Sequence, residues 1–592
     1  MVIIKKINNI MSSSKNYNLC PSLREGLRER KLKNIIFRTA LLKNISLLSI
    51  MLLLNYSTLL YAQSDEDNGS LTKEINVVKP YEPVINDAFK ISLTPQLHDS
   101  IQATKEFGYM LKPKIGNTSF SPEPIDAVKL KGELLNKLYK CHIRLGMGTY
   151  NTPYAEAWIH NLRSTKYSIG AHARHLSSFG TIDNVGYSGY GENNINVYGK
   201  KFYKDAVLAA DLSYNYHKIH FYGFSTNDTT IDKTDIKQIF NYFEGKARYY
   251  STTNDEKKLS YNAGLKFHYL SDSYQTSENN FIADATFGRT LESWRIEGNA
   301  QLYYNHLSSA IDTMGEFTLS LNPQIITKND KLFFGIGISP CLDADSTAHL
   351  HFYPNVNASY KLVGDFVSIY ASLKGQLKQN NFKTTSDENP FIVSSPLLMP
   401  TNEKLMGTIG SKGLIGLYIP YDVHVSYGTI ENMLFYINDT NDIVHNRFNM
   451  IYDTVQLLQI HVQAAYQKIE QLKIIAKGDY FHYTLKNELY AWHKPTFTMT
   501  LSAEYLLQDK IIAKADIIGM NNFYAKTFDA TGNVVPVKLK GIVDINLGLE
   551  YRYTERMSAF FTINNLLSTR YQRWYNYPNQ RILLLLGASF SF

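Results

Sequence analysis

From about Leu138 to Phe592 the chain repeats one pattern: segments of about ten residues in which apolar and polar side chains alternate, separated by turn residues. In 206–217, Ala206, Leu208, Ala210, Leu212, Tyr214 and Tyr216 take one face, and Asp211, Ser213, Asn215 and His217 the other. Trp294, Ile296, Ala300, Leu302 and Tyr304 alternate in the same way with Ser293, Arg295, Glu297, Asn299 and Gln301. So do Val543, Ile545, Leu547, Leu549, Tyr551 and Tyr553 with Asp544, Asn546, Glu550 and Arg552. Period two sustained over a region this long, with no linker and no repeated blade motif, fits one closed sheet better than a soluble sandwich or a propeller. A sheet in lipid must close, because lipid pairs with no backbone group. Its outer face must then be apolar while its inner face stays polar. The pattern therefore predicts an all-β fold, a large antiparallel transmembrane β-barrel of about 22 strands over 137–592. Short connections such as Thr554-Glu555-Arg556 are expected at the periplasmic end, and the longer 225–235, 382–402 and 438–446 outside.

The pattern fails before residue 137. Ile45–Ala62 is an apolar run broken by Asn55, Tyr56 and Ser57, preceded by Arg38 and Lys43 and followed by Gln63. That is a secretory signal peptide, which makes 1–62 a leader with cleavage expected after Ala62 and an overextended start. The alternative is an N-terminal anchor, for which the apolar core is short. Residues 63–136 carry Pro80, Pro83, Pro95, Pro113, Pro122 and Pro124 and little alternation. Proline removes donors and fixes φ, so this stretch is expected to be a Pro-rich periplasmic extension rather than regular sheet.

Composition changes the picture in two places. Aromatics are dominated by 43 Tyr and 30 Phe against 4 Trp, which suits interfacial girdles where a ring lies in lipid and its hydroxyl in water. The formal charge of +8 comes from the leader, whose ten basic and two acidic residues leave 51 of each sign in the remainder. A basic footprint for nucleic acid is thereby removed. Cys20 lies in the leader, and Cys141 and Cys341 stand alone in strand-like segments, which reads as two small unpaired hydrophobes.

The C-terminal strand puts Leu584, Leu586, Ala588, Phe590 and Phe592 on one face. Its closing aromatics, Phe590 and Phe592, resemble the signal read by the barrel-assembly machinery. The preceding Ile563-Asn564-Asn565-Leu566-Leu567, Arg570-Tyr571 and Tyr577-Pro578-Asn579-Gln580-Arg581 resemble the end of TonB-dependent receptors, with Leu567 in place of the usual Phe and Gln580 in place of the usual Gly. The Tyr-rich composition and the Tyr-Ala-Gln leader end are similar to proteins of the Bacteroidetes group. The motif covers about the last forty residues, and the strand count agrees with the receptor barrel. The front end departs from that family, since 63–136 is too short for a full plug domain. Within it, Glu74-Ile75-Asn76-Val77-Val78 resembles a TonB box, a short segment that pairs with TonB by strand addition; the alternative is a β-like stretch in a tether.

Candidate chemistry is sparse. His172 and His175, three apart, fall on opposite strand faces, and His349 and His351 share a face without a third ligand nearby in sequence. Asn438-Asp439-Thr440-Asn441-Asp442, and Asp228, Asp232 and Asp235, are oxygen-rich loop clusters without the glycine and distal glutamate of a calcium loop. No nucleophile, zincin or phosphate-loop motif is present. The expectation is no catalytic residue, no metal site, no cofactor and no enzyme activity. Inner-face charges are mixed: Arg295, Lys361, Lys374, Lys378 and Arg552 against Asp211, Glu297, Asp544 and Glu550.

These readings place the protein in the outer membrane, among lipids, built by the assembly machinery. The resemblance implies transport or binding of a substrate, with TonB as a partner. The alternative is a non-transporting barrel subunit of an assembly, secretion or surface-lipoprotein complex. A lumen this wide has to be filled by 63–136, by the outer loops or by a separate partner.

Overall fold

The structure, a computed structural model, describes residues 137–592 apart from 227–230, 254, 346, 440–445 and 530. The leader, the Pro-rich extension with Glu74–Val78, and the clusters at Asp228 and at 440–442 lie outside the described residues. Twenty-two antiparallel strands form one sheet, and the first, Cys141–Gly148, pairs with the last, Leu583–Ser591, so the sheet closes. Each strand pairs with the next along the chain. The two exceptions are Ile511–Met520 with Ile542–Arg552, and Met557–Asn564 with Leu583–Ser591, each skipping a small hairpin in a loop. No helix among the described residues is long and apolar enough to cross a membrane; the strands do the crossing.

The alternation has its expected cause. Leu208, Leu212 and Tyr214 stand exposed on the outside of their strand, as do Trp294, Ile296 and Tyr304, and Val543, Leu549 and Tyr551. Asp211, Ser213 and Asn215 take the inner face, where Asp211 accepts from Asn196 at 2.9 Å. Near the short-turn end the outward ring of Tyr203, Tyr249, Trp294, Tyr360, Tyr418 and Tyr505 forms one girdle.

The two ends differ. Connections at one end run from two residues (292–293) to eight (252–259), and at the other reach twenty-two (379–400). Short turns mark the periplasmic side. Tyr139, Lys140 and Phe592 lie at this end, with Phe592 and Cys141 exchanging backbone bonds at 2.9 Å. Strands as long as Ile419–Asn438 and Phe448–Ile469 exceed the 9–11 residues a bilayer needs, so their outer halves project beyond it. Cys141 and Cys341 are buried and unpaired with each other, as read from the sequence.

The closing seam is held by a glycine pair. Gly146 and Gly587 are directly opposite, and the Phe560 ring from the neighbouring strand lies over them on the inner side. A Cβ at Gly587 would fall onto the backbone oxygen of Leu145 and the Phe560 ring, closer than real Cβ atoms come. Gly587→Val is therefore expected to destabilise closure by about 1–3 kcal/mol. The heat-induced mobility shift of the barrel on gels would then move to a lower temperature. An unchanged transition would remove the seam argument.

Candidate functional site

The outer mouth is roofed by the protein's own loops. Phe221, Phe382, Ile392, Tyr436 and Phe448 are fully buried there, with Trp574 and Tyr577 nearly so. These residues come from loops 221–236, 379–400 and 565–582 and from the projecting ends of the longest strands. Phe391 and Tyr577 stack with ring centroids 3.7 Å apart, and Tyr222 meets Tyr577 edge-on at 4.9 Å. Polar contacts tie the same loops together: Tyr222 Oη donates to Pro578 O at 3.0 Å, Asn446 Nδ2 to Phe221 O at 2.6 Å, and Arg573 Nη1 to His493 O at 2.8 Å. Arg570 Nη2 reaches Asp183 O at 2.6 Å and Gln580 Nε2 reaches Ser178 Oγ at 3.0 Å. Loops that close on opposite sides of the barrel thus share one apolar core.

The stretch that resembles a receptor C-terminus has a structural task here. Asn565 sits at φ 52°, and its side chain donates to Thr569 O at 2.8 Å and Gln580 O at 3.2 Å. An asparagine tolerates that left-handed backbone better than most residues and satisfies the turn from its own amide. It pinches the base of 565–582 so that Trp574 and Tyr577 are thrown inward.

Loop 379–400 carries the one helix among the described residues, Phe382–Glu388. Asn381 caps it, accepting from Thr384 N at 2.8 Å while Thr384 Oγ1 accepts from Asn381 N at 3.2 Å. Its first turn rests on Glu278, a carboxylate with no exposed surface. Glu278 accepts from Phe382 N at 2.6 Å, Lys383 N at 3.2 Å and Asn305 Nδ2 at 3.3 Å, and its other contact is His268 Nε2 at 3.0 Å. The free N–H groups of a helix start favour an anion, which is why a buried acid is tolerated there. At the other end Glu388 pairs with Lys494 at 2.7 Å and accepts from Tyr436 Oη at 3.2 Å.

Beneath this roof the lumen wall holds two adjoining recesses of about 410 and 190 Å³ that share Glu403. The larger is lined by Ser339, Ser372, Thr408, Asn322, Asn355 and Lys374, and the smaller includes Lys378. Several other inner charges pair off: Arg295 with Glu297 at 2.5 Å, Arg144 with Glu550 at 3.8 Å, Arg248 with Asp284 at 3.4 Å and Lys266 with Glu244 at 2.9 Å. Lys361 pairs with Asp365 at the inner turn, and Asp544 accepts from Tyr571 Oη. Among the described residues, Lys374 and Lys378 have no acidic partner within salt-bridge reach.

The histidines fall as their spacing requires. His172 faces inward, stacked on Trp158 and 2.8 Å from Glu156, whereas His175 contacts Asn193. His349 and His351 share the inner face with ring centroids 6.5 Å apart, and Thr347 takes up His349 Nε2. Among the described residues no group of three His, Cys, Asp or Glu side chains gathers around a metal-sized centre. Asp232 is spent on Thr234, accepting from its backbone N–H at 2.8 Å. Asn438 and Asp439 are buried at the loop base, where Asp439 N donates to Arg447 O.

No protein-family model matches the sequence, and no curated protein does. Solved structures do match the fold. The FrpB iron transporter from Neisseria meningitidis (F3-3 variant) superposes with a TM-score of 0.62 at 11% identity, covering 77% of this chain and 82% of that one. The pyoverdine outer-membrane receptor FpvA from Pseudomonas aeruginosa PAO1 gives 0.58 at 12%, over 77% and 79%. The ferric-catecholate import receptor Fiu from K12 E. coli gives 0.57 at 11%, over 77% and 82%. Superposing on them over 77% of its length, this chain has the fold of the TonB-dependent outer-membrane receptors.

Proposed function

We propose that the protein is an outer-membrane receptor barrel that binds a hydrophilic solute and passes it inward when its loops part. The carrying observation is the polar, incompletely paired lumen wall around Lys374 and Lys378 beneath a loop roof. A barrel built only to hold its shape gains nothing from leaving two ammonium groups unpaired on an inner wall. The solved structures it superposes on include an iron transporter, a pyoverdine receptor and a ferric-catecholate import receptor, which supports a receptor reading without naming this chain's solute. On this reading residues 1–62 direct export, the assembly machinery recognises Phe590 and Phe592 and inserts the barrel among outer-membrane lipids, and Glu74–Val78 pairs with TonB. No step calls for a cofactor or a catalytic residue.

A second reading is favoured by the roof itself. Loops tied by a shared aromatic core are also suited to present a fixed surface, as a subunit of a surface-lipoprotein, secretion or assembly complex would. The two readings separate in one experiment: mild-detergent purification of the full chain from the outer membrane, followed by capture with the periplasmic domain of TonB. The receptor reading expects capture that is lost when Glu74–Val78 are replaced by a Gly-Ser stretch. A stoichiometric co-purified lipoprotein, with no TonB capture, would install the second reading instead.

A further inference from the structure

One pair of lumen histidines is built differently from the rest. His424 and His461 are direct cross-strand partners, and their rings stack with centroids 4.6 Å apart and planes 28° apart. Both face the lumen, because their neighbours Val423, Val425, Ile460 and Val462 face lipid. Each ring is held by its own carboxylate: His424 Nδ1 lies 3.0 Å from Asp422 Oδ1, and His461 Nδ1 lies 2.7 Å from Asp479 Oδ1. The carboxylates are fixed in turn, Asp422 by Tyr370 Oη at 2.7 Å and Asp479 by Gln459 Nε2 at 3.1 Å. Both act as acceptors, so the proton of each neutral ring sits on Nδ1 and the lone pair on Nε2.

Neither Nε2 has a hydrogen-bond partner among the described residues. Gly410, the opposite neighbour of His424, carries no side chain to crowd the pair, and the Tyr370 ring lies over its Cα instead. The nearby cations are Lys477, 3.8 Å from Asp479 Oδ2, and Lys412, above the Tyr370 ring. Their two charges match those of Asp422 and Asp479, so the pair sits in a locally balanced field.

Imidazole held through its far nitrogen by a carboxylate is the arrangement that orients histidine toward a metal. Imidazole nitrogen suits borderline divalent ions, Cu²⁺ above Zn²⁺ in order of affinity. We propose that His424 and His461 form a two-imidazole coordination site for such an ion on the lumen wall. Among the described residues no third protein ligand converges on it, so the remaining positions are assigned to water or to a chelating solute in the lumen. The site stands on its own geometry, whichever reading of the barrel's function holds.

The test is titration of the purified full chain in detergent with Cu²⁺ and, separately, Zn²⁺, read by calorimetry and by electron paramagnetic resonance of the copper form. The expected result is one equivalent bound, with hyperfine structure from two imidazole nitrogens. That spectrum is read on the unaltered protein, so it does not depend on any variant folding. His424→Ala and His461→Ala should each abolish the equivalent, and the positioning variant Asp479→Asn should weaken it about 10–100-fold. The double variant His349→Ala/His351→Ala should leave it intact. Absence of a stoichiometric equivalent, a single-nitrogen spectrum, or binding that survives both His424→Ala and His461→Ala would overturn the proposal.

Discussion

In planar bilayers the full chain and a chain lacking residues 63–136 are both expected to stay closed, while replacement of 379–400 by a short Gly-Ser turn opens a large steady pore. The seal visible in the described residues is the outer roof, and loop 379–400 is its middle. Removing it takes Phe382, Ile392 and Leu398 out of the apolar core, strips Tyr436 of its hydrogen-bond partners and takes the two backbone donors Phe382 N and Lys383 N from Glu278. Each large apolar side chain withdrawn costs roughly 1.5–3 kcal/mol of burial. The losses fall on one cooperative cluster, so the remaining loops lose their common support together. A barrel of 22 strands is wide enough to conduct once nothing spans its mouth. The pore should appear without loss of the barrel itself, because the ladder from Val367–Lys378 to Thr401–Ile415 is continuous below the loop apart from one bulge. If deleting 63–136 alone gave the large steady pore, the roof would not be the seal, and that segment would be.

What could be read from the sequence follows from where solvent acts. Lipid on one side and water on the other force period two on every membrane-crossing strand, so the barrel, its strand number and its polarity were all legible. The lumen charges were legible too, as in Arg295 and Glu297, because they occupy the complementary positions. The roof was not. Its core joins Phe221, Phe382, Phe448 and Trp574, residues hundreds of positions apart in irregular loops, where no period marks which side faces inward. Glu278 looks in sequence like any acid beside a turn, and only the fold brings a helix start onto it. His424 and His461 are paired by register across a long loop, and separation along the chain gives no hint of that. The nearest sequence signal was the C-terminal motif. Its Asn565 does organise a loop, although the sequence did not say that the loop would enter a roof.

Glu278→Ala should loosen the roof more than any other single substitution in it. The change leaves Phe382 N, Lys383 N, Asn305 and His268 without their shared acceptor in a site with no access to water. Breaking a buried charged cluster by removing one partner costs about 3–5 kcal/mol, enough to expose 379–400 to protease while the barrel keeps its heat-stable mobility. Resistance of that loop in the variant equal to the unaltered protein would show that the helix does not depend on the carboxylate.

The same protease assay should respond to pH through two other roof groups. Glu316, on the projecting part of its strand, keeps one carboxyl oxygen buried without a hydrogen bond. That burial, with Asp343 and Asp345 nearby, pushes its carboxyl up from 4.5 to about 8. A raised carboxyl stabilises the fold fully below pH 4.5, and that contribution is lost as pH rises to about 8. His493, wholly buried in loop 486–496, is pushed by that burial from 6.5 down to about 3. Its contribution is present above pH 6.5 and is lost as pH falls toward 3. Between 4.5 and 6.5 the two slopes oppose each other, so protection should be broadest there and decline on both sides. Glu316→Gln has no charge to bury, so it should hold its protection through pH 8 and above while keeping the acid limb. An alkaline decline as steep in Glu316→Gln as in the unaltered protein would mean that another group opens the roof.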